Sequence, residues 1–416
     1  MKKRFLRLGT LLALAAAVAS LVATSVAPAA HQKAGATTFT VWADHDRLPA
    51  VKSVVGAWAN SKGVTLNVVE KQFGNIRDDL TTVQPSSAPD AVVGPNDWVG
   101  QLAADGLVLP IFPRAALKKL IPSYALQGFS YGSAGRLYAA PIALENIGLV
   151  VNLSLAHKPK NWKDLESQAL KFKKKASGNL AIAVQQGSGG DPYHMYPFFS
   201  GLCGYVFGKN KAGTLNANDL GVANKKFLKN APLIDKWNKE GLVNSKIDGG
   251  TAQNAFLKGK AAFWVTGPWN IDTIKTAGIK FAVVQVPKIK CRSVPFLGAN
   301  GIYVTKYSTQ HGVESLAKDL VASYMLGTDA QAAFANINGR SPANTKAIGK
   351  VANTYIRQFG VAGKGGVPLP NIPQMASVWS DLGSAWIKST QGSGATKAKT
   401  AFTVAARNIK AKIAGG

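Results

Sequence analysis

The sequence predicts an α/β protein built as two lobes, and three observations support this fold class. Apolar strands and amphipathic helices alternate from residue 38, which is the rhythm of βαβ units around a sheet. The chain has 416 residues, of which 46% are hydrophobic, so it can form two sizeable cores. Extended segments near residues 145 and 297 are long enough to pass between lobes, and no flexible linker interrupts them.

The first elements follow from composition and spacing. TFTVW (38–42) has the β-branched and aromatic composition of a strand. Apolar residues at positions 48–58 then recur at helical spacing, and Gly63 ends this helix. VTLNVVEK and DAVVG (90–94) are the next two strands, and a helix opens after them at Asn96.

The later elements alternate in the same way. RLYAAPIALENIGLVVN is extended, residues 159–175 form a helix, and NLAIAVQQ forms a strand. DPYHMYPFFSGLCGYVF opens as a helix, and KAAFWVTGPW is a strand that leads into a tight turn. FLGANGIYVT is a second extended crossing, and helices dominate from there to the end. We therefore predict a first lobe of residues 38–144 and 299–340, and a second lobe of residues 145–298 and 341–416.

The first 29 residues have the pattern of a secretory signal peptide. MKKRFLR is basic, LGTLLALAAAVASLVATSVA is apolar, and Ala27-Pro28-Ala29 is an A-x-A cleavage signal. Residues 30–37 are predicted to form a disordered spacer. The alternative is an uncleaved membrane anchor, because the apolar stretch approaches the roughly 20 residues that span a bilayer. We expect an exported protein, either periplasmic or extracellular and at the cell surface.

The net charge of +28 comes from few acidic residues rather than from many basic ones. There are 49 Lys and Arg against 21 Asp and Glu. Basic residues are about 12% of the chain and acidic residues about 5%, whereas a typical charged total is about 25%. This balance argues against nucleic acid as a partner. A low carboxylate content suits a protein in acidic fluid, so an acidophilic source is a hypothesis that predicts greatest stability well below neutral pH.

The sequence gives little support for metal or covalent chemistry. Cys203 and Cys291 are the two cysteines, and outside the cytoplasm they could pair or remain buried thiols. His45 and His194 have no second His at metal-ligand spacing, so we expect no metal and no cofactor. Residues 128–132 (GFSYG) match G-x-S-x-G. They lack the strand-to-helix context of a nucleophile elbow, so we expect no catalytic residue there.

A proline-rich segment near the end of the chain precedes a large aromatic residue. PLPNIPQMASVW (368–379) fixes the backbone with three prolines and then presents Trp379. An aromatic ring can stack on the apolar C–H face of a sugar, while carboxylates and guanidinium groups hydrogen-bond its hydroxyls. We therefore expect Trp379 to form one wall of a sugar-binding cleft.

Several segments, in order, resemble a known family. They are VWADHDR, APDAVVGPNDWVGQLAADGLV, GRLYAAPIALENIGLVVN, AFLKGKAAFWVTGPWN and PNIPQMASVW. The chain resembles the extracellular solute-binding proteins (family 1) of ABC sugar importers, most closely the maltose/maltodextrin-binding proteins, over about residues 37–412. The resemblance implies a type II periplasmic-binding-protein fold, with hinge-linked α/β lobes that close on a ligand in the cleft between them.

The resemblance also implies a set of ligand-binding residues. Polar groups expected to hold sugar hydroxyls follow strands or lie on the crossing segment, and aromatic residues are expected to stack on the rings. The implied ligand-binding residues are Asp46, Arg47, Asp97, Trp98, Glu145, Asp191, Tyr193, Tyr196, Trp269 and Trp379.

Two positions depart from the family pattern. Trp98 stands where the maltose binders carry an Arg, and Gly94 stands where they often carry a Trp that contacts the sugar. One stacking surface has therefore moved from position 94 to position 98, or the ligand is a different glycan.

These features together predict a secreted binding protein that captures maltose, maltodextrin or a similar oligosaccharide for import. Its expected partners are the ligand and the membrane permease subunits of an ABC transporter, and we expect a monomer. One alternative is a binding protein for another sugar or small solute, such as a glycerol phosphate, a polyamine or iron. The other is a secreted glycoside hydrolase in which Asp46 pairs with Glu145 or Asp97.

Overall fold

The computed structural model describes residues 37–113 and 117–415. The predicted signal peptide, and all of the predicted spacer except residue 37, lie outside the described residues. The strands are, in chain order, β1 (Thr38–Ala43), β2 (Thr65–Glu70), β3 (Ala91–Pro95), β4 (Phe112–Pro113), β5 (Ser130–Tyr131), β6 (Arg136–Leu137), β7 (Ala139–Glu145), β8 (Gly148–Asn152), β9 (Ala183–Val184), β10 (Phe207–Lys209), β11 (Leu215–Leu220), β12 (Phe263–Thr266), β13 (Phe281–Val284), β14 (Phe296–Val304), β15 (Ser341–Pro342) and β16 (Val367–Pro368).

Helices surround these strands. They are α1 (Leu48–Lys62), α2 (Ile76–Thr82), α3 (Val99–Ala104), α4 (Ser123–Gly128), α5 (Trp162–Lys173), α6 (Pro192–Gly201), α7 (Lys225–Asn230), α8 (Pro232–Glu240), α9 (Gly249–Leu257), α10 (Ile271–Thr276), α11 (Tyr307–Gln310), α12 (Glu314–Ala322), α13 (Thr328–Asn338), α14 (Tyr355–Ala362), α15 (Trp379–Thr390) and α16 (Ala398–Gly415). Short 3-10 helices at Asn96–Trp98, Pro268–Asn270 and Pro373–Ser377 each lead to a residue of the cleft described below.

The initial βαβ prediction is confirmed. β1 pairs in parallel with both β2 and β3, and α1 runs between the first two strands. Gly63 ends α1 in the left-handed conformation, with φ of 66°, where a glycine carries no Cβ penalty. Trp42, Trp58 and Trp264 lie in the cores.

Two sheets organise the two lobes. The larger has the strand order β15-β7-β14-β3-β1-β2, with β16 added beside β14, and the smaller has the order β13-β8-β12-β9. Each sheet is covered on both faces by helices that pack buried apolar clusters against it. Both sheets are therefore α/β sandwiches of the kind that the sequence predicts.

The chain passes between the sheets more than once. β7 belongs to the larger sheet and β8 to the smaller, with only Asn146 and Ile147 between them. β14 returns the chain to the larger sheet, and α14 then packs against the smaller one, where Phe359 joins the cluster on its outer face. Repeated crossings of this kind tie two lobes together at a hinge.

The sheet pairings place the lobe limits slightly differently from the sequence prediction. Ser341 and Pro342 pair with β7, so the segment that follows residue 340 stays with the larger sheet and does not begin the second lobe. Glu145 and Gly298 pair with each other within the larger sheet. We propose a first lobe of residues 37–145 and 297–350, and a second lobe of residues 146–296 and 351–415.

No helix within the described ranges combines the length and apolar character that a bilayer crossing needs. Residues 128–132 connect α4 to the short strand β5, which is the reverse of the strand-to-helix order of a nucleophile elbow. Ser130 Oγ donates a hydrogen bond to the Leu126 carbonyl, 2.6 Å away.

Cys203 and Cys291 form a disulfide, which settles the alternative that the sequence left open. Their Cα atoms are 5.3 Å apart, and 88 residues separate them in the chain. The bond fastens the end of α6 to the segment before β14, where the chain leaves the second lobe.

Removing this disulfide is expected to lower the free energy of unfolding of the second lobe by about 2–4 kcal/mol, since closing a long loop restricts the unfolded chain. The change is Cys291→Ala, which leaves Cys203 and its left-handed backbone (φ of +72°) untouched. Chemical denaturation of the variant and of the wild type, each with and without reductant, measures the effect. A wild type that is equally stable with and without reductant would contradict the bond.

Candidate functional site

A cleft of about 720 Å³ lies between the two lobes and is lined by residues from both. Its first-lobe wall follows strand ends that point the same way. β1, β2 and β3 are parallel, and β7 runs in the same direction because both β3 and β7 pair antiparallel with β14. Their carboxyl ends therefore meet at one edge, which is where open α/β sheets bind ligands.

The residues after these strands form the first-lobe wall. Asp46 and Arg47 follow β1, Phe73 and Arg77 follow β2, and Asp97 and Trp98 follow β3. Glu145 ends β7, and Arg340 precedes β15, which runs antiparallel to β7 and so begins at the same edge.

The second-lobe wall is built by the same rule on the smaller sheet. β9 and β12 are parallel, so Gln185 and Trp269 emerge at one edge. Asp191 caps the start of α6 beside them, and Tyr193 occupies its first turn. Trp379 begins α15 directly after the proline-rich segment.

Nine of the ten predicted site residues line this cleft, and Tyr196 does not. Tyr196 is 2% exposed and its ring lies 3.5 Å from that of Phe296, with 20° between the planes. Three residues further along α6 than Tyr193, it faces the core of the second lobe and not the opening. The predicted stacking role for Tyr196 is therefore wrong, because the helix turns this side chain inward.

Two Gly-Pro turns place the Trp98 and Trp269 rings in the cleft with the same local geometry. Gly94 is the penultimate residue of β3 and Gly267 directly follows β12, and in each case a proline comes next and a 3-10 helix begins at or just after it. A Cβ added at Gly94 would lie 2.1 Å from Cζ3 of Trp98, and one added at Gly267 would lie 2.0 Å from Cζ3 of Trp269. Each ring therefore folds back over a glycine that leaves room for it.

A buried ionic network forms the floor of the cleft. Arg47 and Arg340 are each 3% exposed. Arg47 Nη1 donates to Asp44 Oδ2 at 2.5 Å, and its Nε donates to Asn300 Oδ1 at 3.1 Å. Arg340 Nε donates to Glu145 Oε2. Each buried guanidinium thus has a carboxylate partner, which offsets the cost of removing both charges from water.

The network sets the charge of Glu145. Burial would raise the pKa of this carboxyl, but the guanidinium groups of Arg340 and Arg47 outweigh burial and hold the pKa below its ordinary value. Glu145 therefore stays ionised in mildly acidic solution. The same Arg340 guanidinium lies 4.8 Å from the centre of the Trp269 ring, so it connects the two lobes.

Asp97 has the opposite character. It is 7% exposed, and burial raises its pKa to about 6 although the Trp379 indole and the Arg77 charge favour its ionised form. Trp379 Nε1 donates to Asp97 Oδ2 across the cleft at 3.0 Å. This carboxyl therefore changes its charge in the mildly acidic range.

The Asp191 carboxylate forms hydrogen bonds mainly with other residues of the protein. Its Oδ1 accepts the backbone N–H of His194 at 2.9 Å, and its Oδ2 lies 2.8 Å from His194 Nδ1 and 2.7 Å from Gln185 Nε2. Burial would raise the pKa of Asp191, but His194 holds it below its ordinary value. Asp191 therefore orients His194, whose Nε2 is buried without a partner among the described residues.

Tyr193 offers another unsatisfied group. Its hydroxyl is buried and has no hydrogen-bond partner within the described part of the chain. It lies near Glu145, since a Cβ built on Gly298 would be 3.4 Å from the Tyr193 oxygen and 3.2 Å from Glu145 Cγ. Burial raises its pKa well above its ordinary value, so the hydroxyl remains neutral. A ligand hydroxyl or a water molecule would satisfy it.

The wall residues that sequence reasoning missed include Phe73, Arg77, Gln185 and Arg340. Phe73 is 44% exposed, and its ring centre lies 5.6 Å from that of Trp98. Nothing in its spacing marks it as a site residue. Arg340 had a usable signal, because Gly339 ends α13 in the left-handed conformation and Arg340 follows it at the edge of the sheet.

A family model for bacterial extracellular solute-binding proteins matches residues 55–355. The chain belongs to this family. This chain is 29% identical over 388 residues to a galactooligosaccharide-binding protein of Bacillus subtilis, and the match covers 90% of this chain and 89% of that protein. It is also 29% identical over 403 residues to the maltodextrin-binding protein MdxE of the same organism, covering 91% of each chain.

Solved structures agree with these relatives. The solute-binding protein superimposes on the maltotriose-binding protein of Thermus thermophilus, bound with maltotriose, with a TM-score of 0.79 and 26% identity. That match covers 90% of this chain and all of the other. A cyclo/maltodextrin-binding protein complexed with maltotetraose matches with a TM-score of 0.72 and 25% identity over 92% of this chain. The predicted two-lobed binding-protein fold is confirmed.

Placing a methyl group on Gly94 is expected to displace the Trp98 ring. Gly94→Ala should lower the free energy of unfolding by about 1–3 kcal/mol, the usual cost of overpacking a filled site. Gly349→Ala is the matched control, since nothing lies within 4 Å of a Cβ there. Urea denaturation measures both. Equal stability of the two variants would show that Trp98 does not occupy the space above Gly94.

The raised pKa of Asp97 predicts a pH-dependent effect of Asp97→Asn. Between the ordinary pKa near 3.8 and the folded value of about 6, the folded protein binds a proton that the unfolded chain releases. The stability that this proton contributes is fully present below pH 4 and is lost as pH rises through 6. Asparagine keeps an acceptor for Trp379 without a charge. The variant should therefore gain stability over the wild type as pH rises from 4 to 7.

Thermal unfolding of the wild type and of Asp97→Asn at half-unit pH steps measures this gain. The quantity to compare is the difference in melting temperature between the two proteins at each pH. Glu145 and Asp191, whose lowered pKa values change stability with pH in the opposite direction, are present in both proteins, so their contributions cancel in this difference. A difference in melting temperature that stays constant from pH 4 to pH 7 would contradict the prediction.

Proposed function

We propose that this solute-binding protein captures a neutral oligosaccharide, a malto-oligosaccharide or a related glycan, and presents it to the membrane permease subunits of an ABC transporter. One observation carries the proposal. The two walls of the cleft face each other with Trp98 on one side and Tyr193, Trp269 and Trp379 on the other, and charged groups lie between them. Rings that can stack on sugar faces, interleaved with acceptors and donors for hydroxyls, suit a saccharide.

The relatives support the same ligand class. They are proteins that bind galactooligosaccharides, maltodextrin and maltotriose. The cleft volume of about 720 Å³ falls in the range of about 300–1,000 Å³ that is usual for small-ligand sites. A monosaccharide would leave much of this cleft unfilled, so the volume favours an oligosaccharide.

The side chains then divide into groups with different roles. Tyr193, Trp269 and Trp379 stack on the sugar rings, and Trp98 takes the place of the family's stacking residue at position 94. Asp46, Asp97 and Glu145 accept hydrogen bonds from hydroxyls, while Arg47 mainly holds the floor of the cleft together. Closure around the ligand excludes water and strengthens these hydrogen bonds.

We propose that the protein binds without cleaving. Of the two carboxylates that could pair with Asp46 in a hydrolase, Glu145 is held by Arg340 and Asp97 by the Trp379 indole. Glu145, paired with a guanidinium, is a weaker base and nucleophile than a free carboxylate. We also propose an exported monomer, periplasmic or extracellular, in keeping with a family of extracellular proteins.

Thermal unfolding with sugars tests the proposal. Maltotriose, maltose, trehalose and a galactooligosaccharide are each added to the mature protein. A ligand at about 100 times its Kd adds about 2.7 kcal/mol to the free energy of unfolding, so the melting temperature should rise by several degrees with at least one oligosaccharide. Trp379→Ala should raise the Kd for that ligand by about 30-fold or more, as loss of a buried aromatic anchor usually does.

Two further variants make the result specific. Trp162→Ala is the matched control, because this ring packs on Trp237 in the second lobe, away from the cleft, and should cost stability without changing affinity. Trp379→Phe keeps the stack but loses the hydrogen bond to Asp97, so it separates the two contributions. No rise with any sugar would overturn the proposed ligand class, and release of shorter sugars from the oligosaccharide would overturn the non-enzymatic role.

A further inference from the structure

The positive charge of the folded chain is concentrated on one lobe. Residues 146–296 and 351–416 contain 30 Lys and Arg against 9 Asp and Glu, a net charge of +21. Residues 37–145 and 297–350 contain 14 against 12, a net charge of +2. The two lobes share one environment, so a general response to that environment would lower the acid content of both. The asymmetry therefore indicates a surface with its own partner.

The charge of the second lobe lies on its outside. Two clusters illustrate this: Lys171, Lys174 and Lys175 at the end of α5, and Lys225, Lys226 and Lys229 on α7. Both clusters flank α8, because Lys173 Nζ donates to the Glu240 carbonyl at the end of α8 and α7 leads directly into its start. All six side chains are exposed, and none forms an ion pair with another described residue. We call these six residues the basic face. Because no carboxylate neutralises them, their field extends about 10 Å into solution at 0.1 M salt.

The residue types indicate what kind of anion the basic face meets. Of the 30 basic residues of the second lobe, 27 are Lys and 3 are Arg. Lysine is a hydrated point charge, whereas arginine is preferred where a phosphate is bound bidentately at a fixed position. No aromatic ring of the second lobe is among the exposed large hydrophobic side chains of the described residues, so the stacking surfaces that bind single-stranded nucleic acid are not provided.

We propose that the second lobe docks on an anionic phospholipid surface through the basic face. Diffuse lysine charge is attracted to the potential of anionic headgroups without recognising any one of them. The first lobe, with a net charge of +2, offers no comparable attraction. The second lobe would therefore be the part of the molecule that contacts the lipid.

Co-sedimentation with vesicles tests this proposal on the mature protein. The vesicles are pure phosphatidylcholine, or phosphatidylcholine with 30% phosphatidylglycerol, at ~0.05–0.5 M salt. We expect binding only to the anionic vesicles and loss of binding as salt rises. Each lysine that reaches the surface contributes about fivefold to the partition coefficient. Changing the six lysines of the basic face to Gln should therefore lower the partition coefficient at least tenfold.

A second six-lysine variant separates location from total charge. Lys52, Lys62, Lys118, Lys119, Lys346 and Lys350 are all exposed on the first lobe. Changing these six to Gln removes the same charge from the molecule, and we expect less than a threefold loss of binding. Retention of the thermal transition in both variants shows that both fold.

Several outcomes would overturn the proposal. They are an equal loss in the two variants, equal binding to neutral vesicles, and binding that is insensitive to salt. Tighter binding to duplex DNA than to anionic vesicles at the same salt would assign the basic face to a nucleic acid instead. None of these results depends on which sugar fills the cleft.

Discussion

The pairing of two buried guanidinium groups with carboxylates is the interaction on which the cleft depends. Arg47 and Arg340 are removed from water almost completely, so each must keep a carboxylate partner. Those partners, Asp44 and Glu145, follow different strands, and Arg340 enters the network from the segment before β15. The network therefore fixes three parts of the first lobe at the edge where the chain crosses to the second. It also keeps Glu145 ionised, so the floor presents a fixed charge pattern.

Strand direction explains why distant parts of the sequence meet at this floor. Every polar residue of the first-lobe wall comes after a strand that ends at the same edge, or before one that begins there. The family resemblance implied most of the site, and strand direction explains why its residues meet: DHDR and the segment after DAVVG follow strands, and Glu145 ends one. The tight turn after KAAFWVTGPW was recognisable from the sequence too, although the close packing of Trp269 on Gly267 became visible only in the structure.

The sequence could not reveal features that depend on tertiary contacts. Tyr196 resembles Tyr193 in type and lies on the same helix, and only the packing of α6 against Phe296 decides that it faces inward. Phe73 follows no periodic pattern, so its position beside Trp98 had no signal. The protonation range of Asp97 depends on burial from both lobes, which no local stretch encodes. The pairing of Ser341 and Pro342 with β7, on which the proposed lobe limits rest, had no signal because a two-residue strand leaves almost no pattern.

The fit of Trp98 over Gly94 makes the side chains at these two positions depend on each other. The family resemblance implies that maltose binders often carry a Trp at the first position, whereas here the ring lies at the second. A Cβ added at Gly94 would lie 2.1 Å from Cζ3 of Trp98, so any side chain at position 94 overlaps the ring. A chain with bulky residues at both positions would have to turn one of them out of this space. Restoring a ring at position 94 therefore requires a second change at position 98.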